Sequence, residues 1–273
     1  MTGTGWYGTL GRDLARAPGP TAPSATPWLA GVALVALLLG GGLGWAGGYQ
    51  AGFLVVNQWS SAYPPLLWET LTLLADERLA VGVLALTSRR WPRLFWALVA
   101  ASLVGLVVSQ TIKSGIGAPR PPAILPAGSF QLLGPALVKN SFPSGHTLVA
   151  FVLTGVGLYW VRGWVGRLGL IGLAAGAGLS RVALGVHWPL DVCAGALVGL
   201  AAAGFGVHWA ARRTQGLAPK VHLTLVLIAA SFPLRLALGS ETGLSSLAPA
   251  LPWIGSALLV LLAWEYRPQA GSG

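Results

Sequence analysis

Acidic residues are scarce in this chain, with seven Asp and Glu against 17 Lys and Arg in 273 residues. So few carboxylates leave little material for an acidic cage around Mg²⁺ or around a metal pair. A single cysteine, Cys193, excludes an internal disulfide, and its place inside an apolar run reads as a buried, inert thiol. Charge of either sign makes up only 9% of the chain, where a soluble domain carries about a quarter. In its place stand 54% apolar residues and a mean hydropathy of +0.69. A chain of this composition has lipid as its main solvent, and its default fold is an all-α, polytopic membrane bundle. The net charge of +10 does not indicate nucleic acid, because the basic residues stand singly or in pairs between apolar runs and form no dense stripe.

Eight apolar segments follow one another, at about 28–46, 66–88, 91–112, 146–161, 167–186, 189–210, 221–239 and 247–265. Most are long enough to cross a hydrocarbon core of about 30 Å as a helix. The first is weakened by Gly40–Gly42, and the second carries Glu69, Asp76, Glu77 and Arg78, which places its first half near an interface. Residues 1–27, rich in Gly, Pro, Ser and Thr, read as a disordered cytoplasmic tail, and 268–273 as a second tail. No small-residue cleavage pattern marks the first apolar run as a removable signal. The stretch 114–143 is rich in proline and reads as a loop. With the N-terminus inside, 11 of the 17 Lys and Arg fall in inner connections, as the positive-inside rule requires. The remaining six are Arg78, Lys113, Arg120, Lys139, Arg181 and Arg235, and of these Lys113, Arg120 and Arg181 recur on the outer side in one pattern.

Those three cations lie in two of three short strings. Lys113 and Arg120-Pro121 give K-x6-R-P. Pro143-Ser144-Gly145-His146 opens the fourth segment. Ser180-Arg181, His187 and Asp191 give S-R-x5-H-x3-D. Singly, each has a plain reading: an interfacial anchor, an N-cap, a hydrogen-bonding histidine. Together they bring three cations, two histidines, a serine and a carboxylate to one membrane face. That set suits a phosphoryl group, whose oxygens gather charge during transfer and require preorganised donors. Lys113, Arg120 and Arg181 supply positive charge, Ser144 a hydroxyl, and Gly145 a backbone N–H at a helix N-terminus. Pro189 fits the first turn of a helix, so Asp191 can accept the Nδ1 proton of His187 and leave Nε2 free for attack. His146 remains as acid and base. His208 and His222 lie near the inner face and take no role.

In this order the strings resemble the three signature motifs of the type 2 phosphatidic acid phosphatase (PAP2) superfamily, which includes lipid phosphatases, bacterial acid phosphatases and vanadium haloperoxidases. The resemblance implies His187 as nucleophile, Asp191 as its partner, His146 as acid/base, and Lys113, Arg120, Ser144, Gly145 and Arg181 as the phosphate site, with no metal or cofactor. It implies a six-helix core, placed here over 28–215, and the last two apolar segments add two further spans over 216–267. The expected substrate is a lipid phosphate in the bilayer: undecaprenyl diphosphate first, then phosphatidic acid, phosphatidylglycerol phosphate or a lipid A phosphate. The abundance of Arg, Ala and Gly suits a GC-rich bacterial genome, so the expected location is a bacterial inner membrane with the site on its periplasmic or extracellular side. The rival readings are a vanadium haloperoxidase and a transporter using the charges of the second segment.

Overall fold

The computed structural model describes residues 5–20 and 23–267, and the tail 268–273 lies outside the described residues. Every regular element among the described residues is helical. The elements are α1 (Trp6–Arg16), α2 (Thr26–Gly47), α3 (Phe53–Ser60), α4 (Pro65–Leu73), α5 (Glu77–Thr87), α6 (Pro92–Ile116) and α7 (Pro121–Ile124), then α8 (Gly145–Gly157), α9 (Trp164–Ala183), α10 (Pro189–Arg212), α11 (Pro219–Ala237) and α12 (Leu251–Glu265). Five stretches are long and apolar enough to cross a membrane by length and composition: Thr26–Gly47, Pro92–Ile124, Trp164–Ala183, Pro189–Arg212 and Pro219–Ala237. Proline in the first turn starts α2, α4, α6, α10, α11 and α12, where its missing N–H costs no helical bond.

Helix α10 is the axis, packed on α8, α6 and α2. It approaches α8 closely because it presents no side chain there. A Cβ on Gly195 would lie 2.6 Å from the Ser144 carbonyl oxygen, and one on Gly199 would lie 2.6 Å from that of Leu148. Small residues at such positions let helices pack in lipid, where no hydrophobic force drives them together. Most apolar side chains of α2, Leu37 to Leu39 among them, face outward, and only Leu29 and Ala36 of this helix are buried. The Gly40–Gly42 run leaves α2 unbroken.

Two expectations need correction. The segment 66–88 is not one helix. It breaks at Leu74–Asp76, because Asp76 caps the start of α5 by accepting the Arg78 N–H at 2.9 Å. Helix α4 then lies against α9, while α5 packs on α11 and α12. The N-terminal tail is not wholly disordered either. Helix α1 buries Leu10 and Leu14, four residues apart on one face, against α11, and Arg93 Nε donates to the Ala17 carbonyl at 2.8 Å. Cys193 is half-buried, facing Gly40 of α2.

The C-terminal hairpin of α11 and α12 is joined to the rest by partly buried polar contacts. Glu69 accepts the Ser246 N–H at 2.9 Å, the Ser246 hydroxyl at 3.1 Å and the Ser245 hydroxyl at 3.3 Å. Thus the acidic residues of the second segment serve as a cap and a docking point. His222 is buried under Tyr266, 2.6 Å from its hydroxyl, and His208 bonds the Gly204 carbonyl of its own helix.

Candidate active site

Six helix ends meet at one end of the bundle: the C-termini of α2, α6 and α9 and the N-termini of α5, α8 and α10. The turn between α9 and α10 carries His187. Gly185 makes that turn with φ +78°, and a Cβ there would fall 2.4 Å from the Gln131 carbonyl oxygen. The Val186 and His187 N–H groups both donate to the Arg181 carbonyl, at 3.2 Å each. The ring is therefore held from its backbone outward.

Asp191, in the first turn of α10, is fully buried and accepts four donors. Its Oδ2 takes the Ser141 hydroxyl at 2.5 Å, the Trp188 N–H at 2.9 Å and His187 Nδ1 at 3.1 Å. Its Oδ1 takes the Tyr49 hydroxyl. With Nδ1 thus carrying the proton, Nε2 presents a lone pair, and Arg120 Nη1 donates to it at 3.1 Å. Burial pulls the His187 pKa down to about 3, against the raising effect of Asp191, so the imidazole is neutral across the physiological range. Burial and the adjoining Asp191 carboxylate raise that of Tyr49, which stays a donor.

Arg120 is fixed as a fork. Nε donates to the Lys139 carbonyl at 2.8 Å, Nη1 to that of Val186 at 3.1 Å, and Nη2 to that of Asn140 at 3.3 Å. Lys113 Nζ reaches the Asn140 carbonyl at 3.2 Å from the last turns of α6. Arg181 Nη1 donates to Thr72 Oγ1 at 2.6 Å, and its buried Nε has no hydrogen-bond partner. Ser144 caps α8: its Oγ accepts the Thr147 hydroxyl at 2.9 Å and its N–H donates to the Asp191 carbonyl at 3.0 Å. The free N–H groups of this helix start, at Gly145 and His146, are the anion-favouring kind. His146 is partly exposed, with Nε2 3.9 Å from Asp76 Oδ2.

All eight residues expected from the three strings therefore belong to this one end of the bundle. Tyr49, Ser141, Thr72 and Asp76 join them without having been expected. Beside the cluster a cavity of about 390 Å³ runs inward, lined at its mouth by Asp76, Arg78, Lys113 and His146, and deeper by Leu106 and Phe232. A larger groove of about 810 Å³, between α2, α9 and α10, is almost wholly apolar. Among the described residues no group of three or more His, Cys, Asp or Glu has the arrangement of a metal site.

Residues 93–215 match the family described as the PAP2 superfamily. The crystal structure of Aquifex aeolicus LpxE superimposes with a TM-score of 0.51 at 30% sequence identity, covering 57% of this chain and 92% of that one. The chain belongs to the PAP2 superfamily. Two curated relatives agree with that placement. The undecaprenyl-diphosphatase of Sulfolobus acidocaldarius is 34% identical over 119 residues, which is 44% of this chain and 56% of that protein. Phosphatidylglycerophosphatase B of Escherichia coli (strain K12) is 32% identical over 159 residues, covering 45% of this chain and 62% of that protein. The chain thus spans less than two thirds of the length of these curated relatives. Its five long apolar helices are those of a multi-pass membrane protein, and α11 and α12 lie beyond the matched region.

Proposed function

We propose that this PAP2 protein is a membrane-embedded lipid phosphatase that works through a phosphohistidine on His187. The observation that carries the reading is the environment of the His187 ring. A buried carboxylate holds Nδ1, a guanidinium stands at Nε2, and two further cations and a helix N-terminus surround it. Nε2 attacks phosphorus as the bond from phosphorus to the lipid oxygen breaks, and His146 gives that oxygen its proton. Asp191 offsets the positive charge that the ring acquires. Arg120, Arg181, Lys113, the Ser144 hydroxyl and the Gly145 N–H receive the phosphoryl oxygens. In the second step His146 takes a proton from water, the water oxygen attacks phosphorus, the N–P bond breaks and inorganic phosphate leaves. No step calls on a metal ion.

The cavity beside His146 supports a lipid leaving group. In-line displacement puts the departing oxygen opposite His187, on the His146 side, where polar residues at the mouth give way to apolar walls. The relatives named for undecaprenyl diphosphate and phosphatidylglycerol phosphate support the same class, and we favour undecaprenyl diphosphate. Bilayer residence and the inner-side arginines favour a bacterial inner membrane with the site on the outer side. The test is phosphate release in detergent from undecaprenyl diphosphate, phosphatidic acid, phosphatidylglycerol phosphate and a lipid A phosphate, with excess chelator present. Release that survives chelator, is inhibited by vanadate and is abolished in His187→Ala is expected. Activity lost in chelator and restored by Mg²⁺, or label trapped in His187→Ala, would overturn the mechanism.

A further inference from the structure

Asp76 is buried, with 3% of its side chain exposed, and its position goes beyond what a helix cap requires. Its Oδ1 accepts the N–H and Nε of Arg78, each at 2.9 Å, and its Oδ2 accepts Nη2 at 2.7 Å. The same Oδ2 lies 3.9 Å from His146 Nε2, about half an ångström beyond hydrogen-bond reach, a gap that a small turn of the 32% exposed ring would close. Arg78 is held in turn from the far side, its Nη1 donating to the Glu241 carbonyl at 2.8 Å and to Ser240 Oγ at 3.4 Å. The carboxylate is therefore fixed through Arg78 by the loop that joins α11 to α12.

The charges that face His146 explain what this carboxylate can do. Arg78 comes from α5, Arg181 from α9 and Arg120 from the loop after α6, while Lys113 of α6 lines the same cavity. His187 lies on the α10 side, where Asp191 is committed to four donors. Glu77 points outward to Arg235. Asp76 is the carboxylate left to serve His146, and a histidine that must deliver a proton among so many cations needs one.

We propose that Asp76 is the positioning residue of His146: it holds the ring by Nε2–H, so that Nδ1 faces the departing oxygen. The inference rests on the phosphatase reading above and adds to it the group that orients the acid. It predicts that the need for Asp76 tracks the need for a proton. The experiment uses the full-length protein in detergent with phosphatidic acid and with its analogue in which sulfur replaces the bridging oxygen, because a thiolate departs without a proton. Asp76→Asn should lower the single-turnover rate of lipid release from the oxygen ester about 10- to 100-fold, leave KM for that step within about threefold, and leave thiol release from the sulfur analogue nearly untouched, because the water step that also uses His146 comes later. The basic limb of its pH profile on the oxygen ester should move to lower pH. His146→Ala should show the same pattern, more strongly. Equal losses on both substrates, a change in KM alone, or no loss on the oxygen ester would overturn the proposal. If the Asn variant does not fold, Asp76→Glu carries the test. It keeps the charge, moves it by one methylene, and should show a smaller loss with the same preference for sulfur. Wild-type protein inactive on both substrates, or active His187→Ala, would instead sink the phosphatase reading.

Discussion

Replacing Asp191 by Asn separates the charge of the buried carboxylate from its hydrogen bonds. Three donors converge on Oδ2, from Ser141, Trp188 and His187, and the Tyr49 hydroxyl meets Oδ1. An Asn amide can put its oxygen where the three converge and its NH₂ toward Tyr49, whose hydroxyl turns to accept. The His187 tautomer is then kept and only the charge is lost. When the ring becomes phosphorylated, its positive charge lies beside this carboxylate, with Nδ1 3.1 Å from Oδ2. At an effective dielectric of about 20 that attraction is about 4 to 5 kcal/mol, and part of it has developed in the transition state. The expected loss in the phosphorylation rate is therefore about 10²- to 10³-fold. The assay is single-turnover quenched flow with labelled lipid phosphate, with a thermal melt in the same detergent as control. A folded Asp191→Asn protein that forms phosphohistidine within tenfold of the wild-type rate would refute the electrostatic role. Asp191→Ala, which strands all four donors, should lose stability as well as rate.

The remaining predictions are independent of one another. His187 stays neutral to about pH 3 when folded but takes a proton near 6.5 when unfolded, so between these values the unfolded chain binds more protons and stability falls as pH falls. His187→Asn should escape about 2 kcal/mol of that loss between pH 6.5 and 5, read from melts at both pH values, and equal acid sensitivity would contradict the burial of a neutral ring. Gly195→Ala should cost about 1–3 kcal/mol, because its Cβ meets the Ser144 carbonyl, and it should lower activity by moving α8; a neutral melt would argue against the close approach. Glu69→Ala should remove the buried carboxylate that accepts from Ser245 and Ser246 and cost about 1–3 kcal/mol, with faster proteolysis in the loop 238–250. Single cysteines at Ala127 and Gln215, in a Cys193→Ser background, should be labelled by an impermeant thiol reagent from opposite sides of the membrane. Labelling of both from the same side would sink the proposed orientation and the span count behind it.

The candidate site was readable in the sequence because its charged residues come in short strings at fixed spacings, each at the end of an apolar run. Tyr49 was not readable: it follows α2, 142 residues from the carboxylate it contacts, and nothing near it marks a polar role. Ser141 stands two residues before the P-S-G-H string and was hidden by the loop around it. The break at Asp76 had a local sign, an Asp followed by Glu77 and Arg78 in an apolar stretch, which is an N-cap signature read there as interfacial charge. In α1 the spacing of Leu10 and Leu14 was outweighed by the Gly, Pro and Thr around it, and docking on α11 supplies what propensity lacks.

The glycine contact between α8 and α10 has a mechanical consequence. The Ser144 N–H is bonded to the Asp191 carbonyl, and below that bond the two backbones touch at Gly195 and Gly199 with no side chain between them. The start of α8, with His146, and the start of α10, with Asp191 and the His187 turn, therefore move as one body. A lipid cannot enter by parting these helices without losing the spacing of the two histidines. Admission falls to the opposite wall, where Leu106 of α6 and Phe232 of α11 line the cavity and can change rotamer without disturbing the backbone. Amide exchange should accordingly be slow along the α8–α10 seam and faster in α5 and α11. The fold then keeps its reacting groups still and leaves gating to side chains on the lipid side.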